Sequence, residues 1–310
     1  MLSYLARRLL VAIPTILVII TVAFFMMRAA PGGPFDLERP MPEEIRQNVL
    51  AAYGMDQPLW KQYTDYLSAL SRGDLGPSLR FRDKTVSDII VEGFPVSAVI
   101  GALSLSLAVL IGTFMGSIAA LRQNSAADYT VVGISTIGIV IPPFVMGPIL
   151  ALLIGLHFGL LPTGGLDPRY GMTFDRLVLP VVTLALPQIA IISRLMRASM
   201  IEVLRSNYVR TAKAKGLPAL SVIVRHALRS AVLPLVSYLG PAAAALLTGS
   251  IVIEQVFQLP GIGRQFVQAA LQRDYTVVMG VVILYASLII VLNLIADLLY
   301  AALNPKVKYD

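Results

Sequence analysis

Side chains able to do covalent or metal chemistry are nearly missing from this 310-residue chain. There is no cysteine, and the only histidines, His157 and His226, are far apart in sequence. That removes a disulfide framework, a thiol nucleophile, a cysteine-ligated metal and a histidine-based metal site. No G-x-x-x-x-G-K-[ST] loop is present to cradle a nucleotide phosphate, so this chain has no ATP site of that kind. Neither H-E-x-x-H nor G-x-S-x-G occurs. One acid, Asp297, falls near the end of an apolar run, with Asn293 one turn earlier on the same helical face. A proton relay would place ionisable groups at membrane depth. Asp297 alone reads as a boundary residue facing its own bundle, which disfavours a self-energised carrier.

The remaining charge is concentrated. Ser193 to Pro234 carries eight Arg and Lys (Arg194, Arg197, Arg205, Arg210, Lys213, Lys215, Arg225 and Arg229) against one acid, Glu202. The spacing predicts two cytoplasmic helices joined at Gly216-Leu217-Pro218, since Gly suits a helix end and Pro the start of the next. Met196, Met200, Val203, Leu204, Tyr208 and Ala212 form an apolar stripe along it. Two readings stay open. The stripe sits in a groove on an energy-supplying partner, or it packs on the chain's own bundle while the bases touch anionic lipid.

The elements that must position this loop are membrane spans. The chain is 56% hydrophobic and only 14% charged, with mean hydropathy +0.76; soluble domains are about a quarter charged. Leu9–Met27 has no charge, long enough at 1.5 Å per residue to cross a hydrocarbon core of roughly 30 Å. It exceeds a signal-peptide core and lacks a small-residue cleavage site, so it reads as a retained anchor. Further spans are predicted at Val96–Leu121, Tyr129–His157, Leu177–Ile192, Val232–Ile253 and Val277–Ala296. The third contains Pro142, Pro143 and Pro148 and reads as a kinked pore-side helix. Gly112-x-x-x-Gly116 in the second permits close helix approach, a weak signal in such segments. The expected architecture is thus an all-α polytopic membrane protein of six spans. It divides into an N-terminal span (1–30), a polar helical insert (31–95) and a five-helix core (96–310) carrying the basic loop at 194–231.

Within the insert, Pro42-Glu43-Glu44 opens a short helix stopped at Gly54, and Pro58 opens a second stopped near Gly73. The insert reads as a small cap and as a docking surface for an external partner. With six spans, both termini share a face with the basic loop. That face collects 13 basic and three acidic residues, the opposite face 12 basic and 14 acidic. The positive-inside tendency puts the termini in the cytoplasm and the insert outside. The net charge of +7 therefore belongs to membrane topology, with the lipid bilayer and not nucleic acid as partner.

Tyr208-Val209-Arg210-Thr211-Ala212-Lys213-Ala214-Lys215-Gly216-Leu217, then His226-Ala227-Leu228-Arg229 and Leu233-Pro234, resembles the cytoplasmic-loop motif of bacterial ABC importer permeases. Thr211 stands where the general motif has Glu, and the spacing from Gly to Leu-Pro is longer. Both departures are shared by the oligopeptide/dipeptide/nickel branch. The start MLSYLARRLLVAIPTILVIITVAFFMMRAAPGGPF, the stretch YGMDQPLWKQYTDYLSALSRGDLGPS, the FPVSA entry to the second span and IEQVFQLPGIGRQFVQAALQRDY are similar to the same branch. Together they cover the whole chain and are closest to the B-type oligopeptide permease subunits.

That resemblance implies a binding-protein-dependent (MetI-like) permease fold in a bacterial inner membrane. It implies a second homologous permease, two cytoplasmic ATPase subunits that hold ATP and Mg, and a periplasmic peptide-binding protein. No cofactor is expected in this chain, and it is expected to be a transport subunit, not an enzyme. Tyr208, Arg210, Thr211, Ala212, Lys213, Ala214, Lys215, Gly216 and Leu217 would couple to the ATPase. Pro260-Gly261-Ile262-Gly263 would form an outer loop near the gate. The implied function is import of oligopeptides by alternating access. The alternatives are a dipeptide or nickel importer of the same family, a self-energised secondary carrier, or a membrane scaffold.

Overall fold

The computed structural model describes residues 2–30, 32–35, 42–81, 83–167 and 169–303. Lys306, Lys308 and Asp310, which enter the charge count of the basic face, lie outside them. Among the described residues every regular element is helical, apart from two isolated bridges, Pro77 with Thr85 and Asp167 with Gly171. Five helices among the described residues are long and apolar enough to cross a membrane: Leu10–Ala29 within α1 (Leu2–Ala29), α4 (Val86–Leu121), α7 (Phe174–Leu204), α11 (Leu233–Val256) and Tyr275–Ala302 within α13 (Tyr275–Leu303). A sixth crossing is composite. α5 (Ala126–Val140) meets α6 (Pro143–Leu150), which continues as a π-helical turn to His157, at 102°. The protein is a multi-pass membrane protein.

The composite crossing corrects the expected kink. Two successive prolines do more than bend a helix. Proline disfavours helical backbone in the residue before it, and Ile141 and Pro142 are both extended, at ψ 114° and 146°. The helix stops and restarts with Pro143 in its first turn, where a missing N–H costs nothing.

Two other spans outrun their uncharged runs. α4 starts ten residues before Val96, at a capping box in which the Thr85 hydroxyl accepts from the Asp88 N–H and the Asp88 carboxylate accepts from the Thr85 N–H. Such a box satisfies two orphan donors at once. α7 does not end at Ile192. No helix breaker follows Pro187 until Ser206, and Met196 and Met200 are fully buried. The first third of the basic stretch is therefore the C-terminal end of a membrane helix.

α4 and α7 form the central crossing. A Cβ added at Gly112 would lie 2.7 Å from Ile192 Cγ2, and one at Gly116 only 2.3 Å from the Ser193 carbonyl oxygen. The small-residue pair thus sets the distance between backbones. α2 (Glu43–Ala52) and α3 (Leu59–Ser71) form the insert, as the Pro starts and Gly stops predict. α3 adds a second brace to α1, which also packs on α13 around Met279. Tyr63 and Tyr66 pack on Phe24, the Thr21 and Tyr63 hydroxyls are 2.6 Å apart, and Arg28 Nε donates to Gln62 at 2.9 Å.

Candidate functional site: a basic lever and a pinned loop

The lever begins where α7 ends. Ser206 precedes α8 (Asn207–Ala214), a short helix whose two faces differ sharply. Val209 and Ala212 point inward and are buried against Met196, Met200, Val222 and Ala227. Tyr208, Arg210, Thr211, Lys213, Ala214, Lys215, Gly216 and Leu217 are all exposed. The structure therefore exposes eight of the nine predicted loop residues and buries the ninth, Ala212. The apolar stripe resolves in the same way. Met196, Met200 and Ala212 pack on the chain's own bundle, and Tyr208 alone is left outward.

Gly216 closes α8 with φ +75°, a left-handed conformation that only glycine adopts without strain. Its N–H donates to the Lys213 carbonyl at 3.0 Å. Pro218, in extended backbone, then starts a return run: α9 (Ala219–Ser221), a π-helical turn (Val222–Leu228) and α10 (Arg229–Ala231), leading into α11. The Ser199 hydroxyl donates to the Ala231 carbonyl at 2.9 Å, fastening this run to α7. The outer surface of the pair shows Arg210, Lys213, Lys215, Arg225 and Arg229 around exposed Tyr208, Leu217 and Leu220. This is a cationic surface with exposed apolar side chains among the charges.

At the opposite end of the bundle, the loop at 260–263 is pinned rather than free. Pro260 is exposed; Gly261, Ile262 and Gly263 are buried. Glu254, fully buried near the end of α11, lies beneath them. Its carboxylate accepts from the Ser97 hydroxyl of α4 at 2.6 Å and from the Arg264 N–H at 3.0 Å. The Ser97 oxygen in turn accepts from the Ile262 N–H at 2.9 Å. An acid thus sits at the positive end of α12 (Ile262–Leu271), where unsatisfied N–H groups gather. The glycines make this possible. A Cβ on Gly261 would lie 2.2 Å from Glu254 Oε2, and one on Gly263 2.5 Å from the Ile251 Cα.

Two further acids act as fasteners. The carboxylate of Asp274, before α13, accepts from the Ser78 hydroxyl and, at 3.2 Å each, from the Leu79 and Val277 N–H groups. It ties the insert's tail to α13. Asp297 pairs with Arg8 at 2.6 Å, both groups being partly exposed. That agrees with a boundary role and leaves no isolated intramembrane acid there.

Sequence reasoning missed Ser97 and Glu254, and also a half-buried ion pair between Asp128 and Arg197. Glu254 falls one residue beyond the expected span Val232–Ile253, because an acid ends the uncharged run. The available signal was its place seven residues before Gly261, close enough to reach the following helix start.

The sequence matches the family described as binding-protein-dependent transport system inner membrane component over residues 112–309. The N-terminal region of such membrane components matches residues 1–101. Oligopeptide transport system permease protein OppB of Haemophilus influenzae is 48% identical over 309 residues, covering 100% of both chains. OppB of Escherichia coli K12 is equally similar, 48% over 309 residues and 100% of both chains. Dipeptide transport system permease protein DppB of Bacillus subtilis is 41% identical, covering 99% of this chain and 98% of its own. Among solved structures, a chain of the MetNI methionine ABC transporter in inward-facing conformations aligns with a TM-score of 0.57 at 17% identity. That alignment covers 70% of this chain and 96% of the other, which is a likeness of fold.

Proposed function

Given that the chain belongs to the family of binding-protein-dependent transport system inner membrane components, we propose that it is the transmembrane permease subunit of an ATP-driven oligopeptide importer. The observation that carries this reading is near-half identity to oligopeptide permease subunits over the full length of both chains. Peptides are handed over by a periplasmic binding protein and pass by alternating access between this chain and a second, homologous permease. The energy comes from two cytoplasmic ATPase subunits, which hold the ATP and Mg.

In this reading the termini and the basic loop face the cytoplasm, as the 13 basic against three acidic residues on that face favour. Residues 1–30 anchor, residues 31–95 cap the periplasmic side, and residues 96–310 form the core with its coupling loop at 194–231. The exposed residues Tyr208, Arg210, Thr211, Lys213, Ala214, Lys215, Gly216 and Leu217 meet the ATPase. Ala212 contributes from behind by seating α8 on the bundle. A displacement of α8 passes directly into α7, since only Arg205 and Ser206 separate the two helices and the inward face of α8 is buried in the α7 core. Pro260 to Gly263 hold the periplasmic end of α11 against α4, next to the gate.

The test is reconstitution of the complete complex in liposomes with a labelled peptide series. ATP- and binding-protein-dependent uptake is expected. Uptake by this chain alone, with no ATPase bound, would overturn the proposal. The similarity to DppB keeps dipeptide import as a second reading; competition by dipeptides against longer peptides separates the two.

A further inference from the structure

We propose that Arg197 and Asp128 are positioning residues that clamp α5 to the inner half of α7. α5 then moves with the inner half of α7 as one body, and the composite crossing flexes at the Ile141–Pro142 break. The functional consequence rests on the permease reading above; the one-body claim does not.

The clamp is built, not incidental. Arg197 Nε and Nη2 donate to the two oxygens of Asp128 at 2.6 and 2.7 Å, a bidentate pair with both strength and fixed orientation. Asp128 is 1% exposed. It also accepts from the Asn124 N–H at 2.9 Å, and it lies in the first turn of α5, where an anion is favoured. Further along the same seam, the Ser193 hydroxyl donates to the Ala190 carbonyl and accepts from Ser135 at 2.6 Å. Arg194 Nη2 donates to the Thr136 hydroxyl at 2.8 Å. At the last contact, a Cβ added to Gly138 would lie 3.2 Å from the Leu186 carbonyl oxygen.

The face that α5 buries is thus Asp128, Ser135 and Gly138, with no large apolar side chain. Apolar helix faces can slide in lipid, because tails replace the lost contacts. A polar seam cannot, because the lipid offers its groups no hydrogen bond. Beyond the break the attachments change. A Cβ on Gly147 of α6 would meet Val256 and Phe257, 3.2 Å away on and just after α11, as well as Thr183 of α7 at 3.5 Å. α5 is therefore bound along the inner half of α7, while α6 is held between the outer half of α7 and the pinned loop end of α11. The extended residues Ile141 and Pro142 are the only backbone joining them.

The experiment uses the complete complex in liposomes, with this naturally cysteine-free chain and partner subunits whose accessible cysteines are replaced. Spin labels at Thr130→Cys and Glu202→Cys report the α5–α7 distance, and labels at Thr130→Cys and Leu152→Cys report across the break. The first distance is expected to stay fixed between nucleotide-free and ATP-trapped states while the second changes. A first distance that shifts between states, or a second that does not, overturns the proposal whether or not Asp128→Asn folds. Asp128→Asn is then expected to keep ATP hydrolysis within about twofold while peptide import falls about tenfold or more, a lost coupling of ordinary size. An unchanged import-to-hydrolysis ratio in a well-assembled Asp128→Asn complex also overturns it. Failure of the unmodified complex to import peptide at all would instead strike the permease reading and leave the distance result standing.

Discussion

Glu254 Oε1 accepts a hydrogen bond from Ser97 Oγ at 2.6 Å, although 157 residues separate them in sequence. The bond joins α4 to α11 and is completed by the Ile262 and Arg264 N–H groups at the start of α12. Three elements thus converge on one buried carboxylate. Removing one partner of a buried hydrogen bond leaves the others unsatisfied, at a cost of roughly 1–3 kcal/mol and more for charged groups. Glu254→Ala is expected to lower the thermal midpoint of the detergent-purified protein clearly, and Ser97→Ala to lower it less, because Arg264 still serves the carboxylate. The double variant should cost less than the sum of the two, since both break one network. Additive losses, measured by thermal unfolding, would show that the network does not act as a unit.

Gly216 predicts a backbone effect without a packing effect. Its φ is +75° and nothing lies within 4 Å of an added Cβ. Gly216→Ala should therefore cost only about 1–2 kcal/mol, from the left-handed conformation alone. Gly216→Glu adds a carboxylate to the exposed cationic surface and is expected to block peptide uptake while the chain still inserts. Membrane abundance, ATPase co-purification and uptake are the three readouts. Normal uptake by Gly216→Glu would remove Gly216 from the coupling surface.

Gly116 makes the opposite case. Its surroundings are full, and the nearest atom to an added Cβ is a backbone oxygen that cannot turn aside. Gly116→Leu is expected to separate α4 from α7, with overpacking costs of about 1–3 kcal/mol or more. Folded yield after mild solubilisation should drop severely. Gly101→Leu, at a glycine with open space around it, should leave yield unchanged.

The sequence made the uncharged spans, the two insert helices and the Gly216 stop legible, because each depends on neighbours in the chain. Pro42 and Pro58 sit at the N-caps of α2 and α3, and Gly54 and Gly73 just past their ends with positive φ. What it hid depends on distant partners. Glu254 ends the uncharged run, yet the Ser97 hydroxyl and the Arg264 N–H accommodate it inside a helix. Arg197 appeared as one more basic loop residue, and only the fold brings Asp128 beside it. Ala212 could be placed in the lever motif but not on the lever's inner face, because facing is set by Met196 and Met200 one helix away. The 102° break at Pro142 was underestimated because one proline kinks a helix, whereas two in a row with an extended residue ahead end it.

The cationic lever surface yields the last prediction. Arg210, Lys213 and Lys215 are exposed around Tyr208 and Leu217, while Ala212 is buried behind them. Charge reversal at the exposed positions should weaken attachment of the ATPase and leave the permease intact, with the defect largest at low salt, where surface charges are least screened. Lys213→Glu with Lys215→Glu is therefore expected to lose ATPase co-purification at unchanged thermal midpoint. Ala212→Glu should do the reverse in order of events: an unpaired charge forced under α8 destabilises the permease itself, by several kcal/mol, before any partner is involved. Measuring the thermal midpoint of the isolated chain beside ATPase retention for both variants separates the two faces of one short helix. Equal midpoints for both would mean that Ala212 does not hold α8 on the bundle.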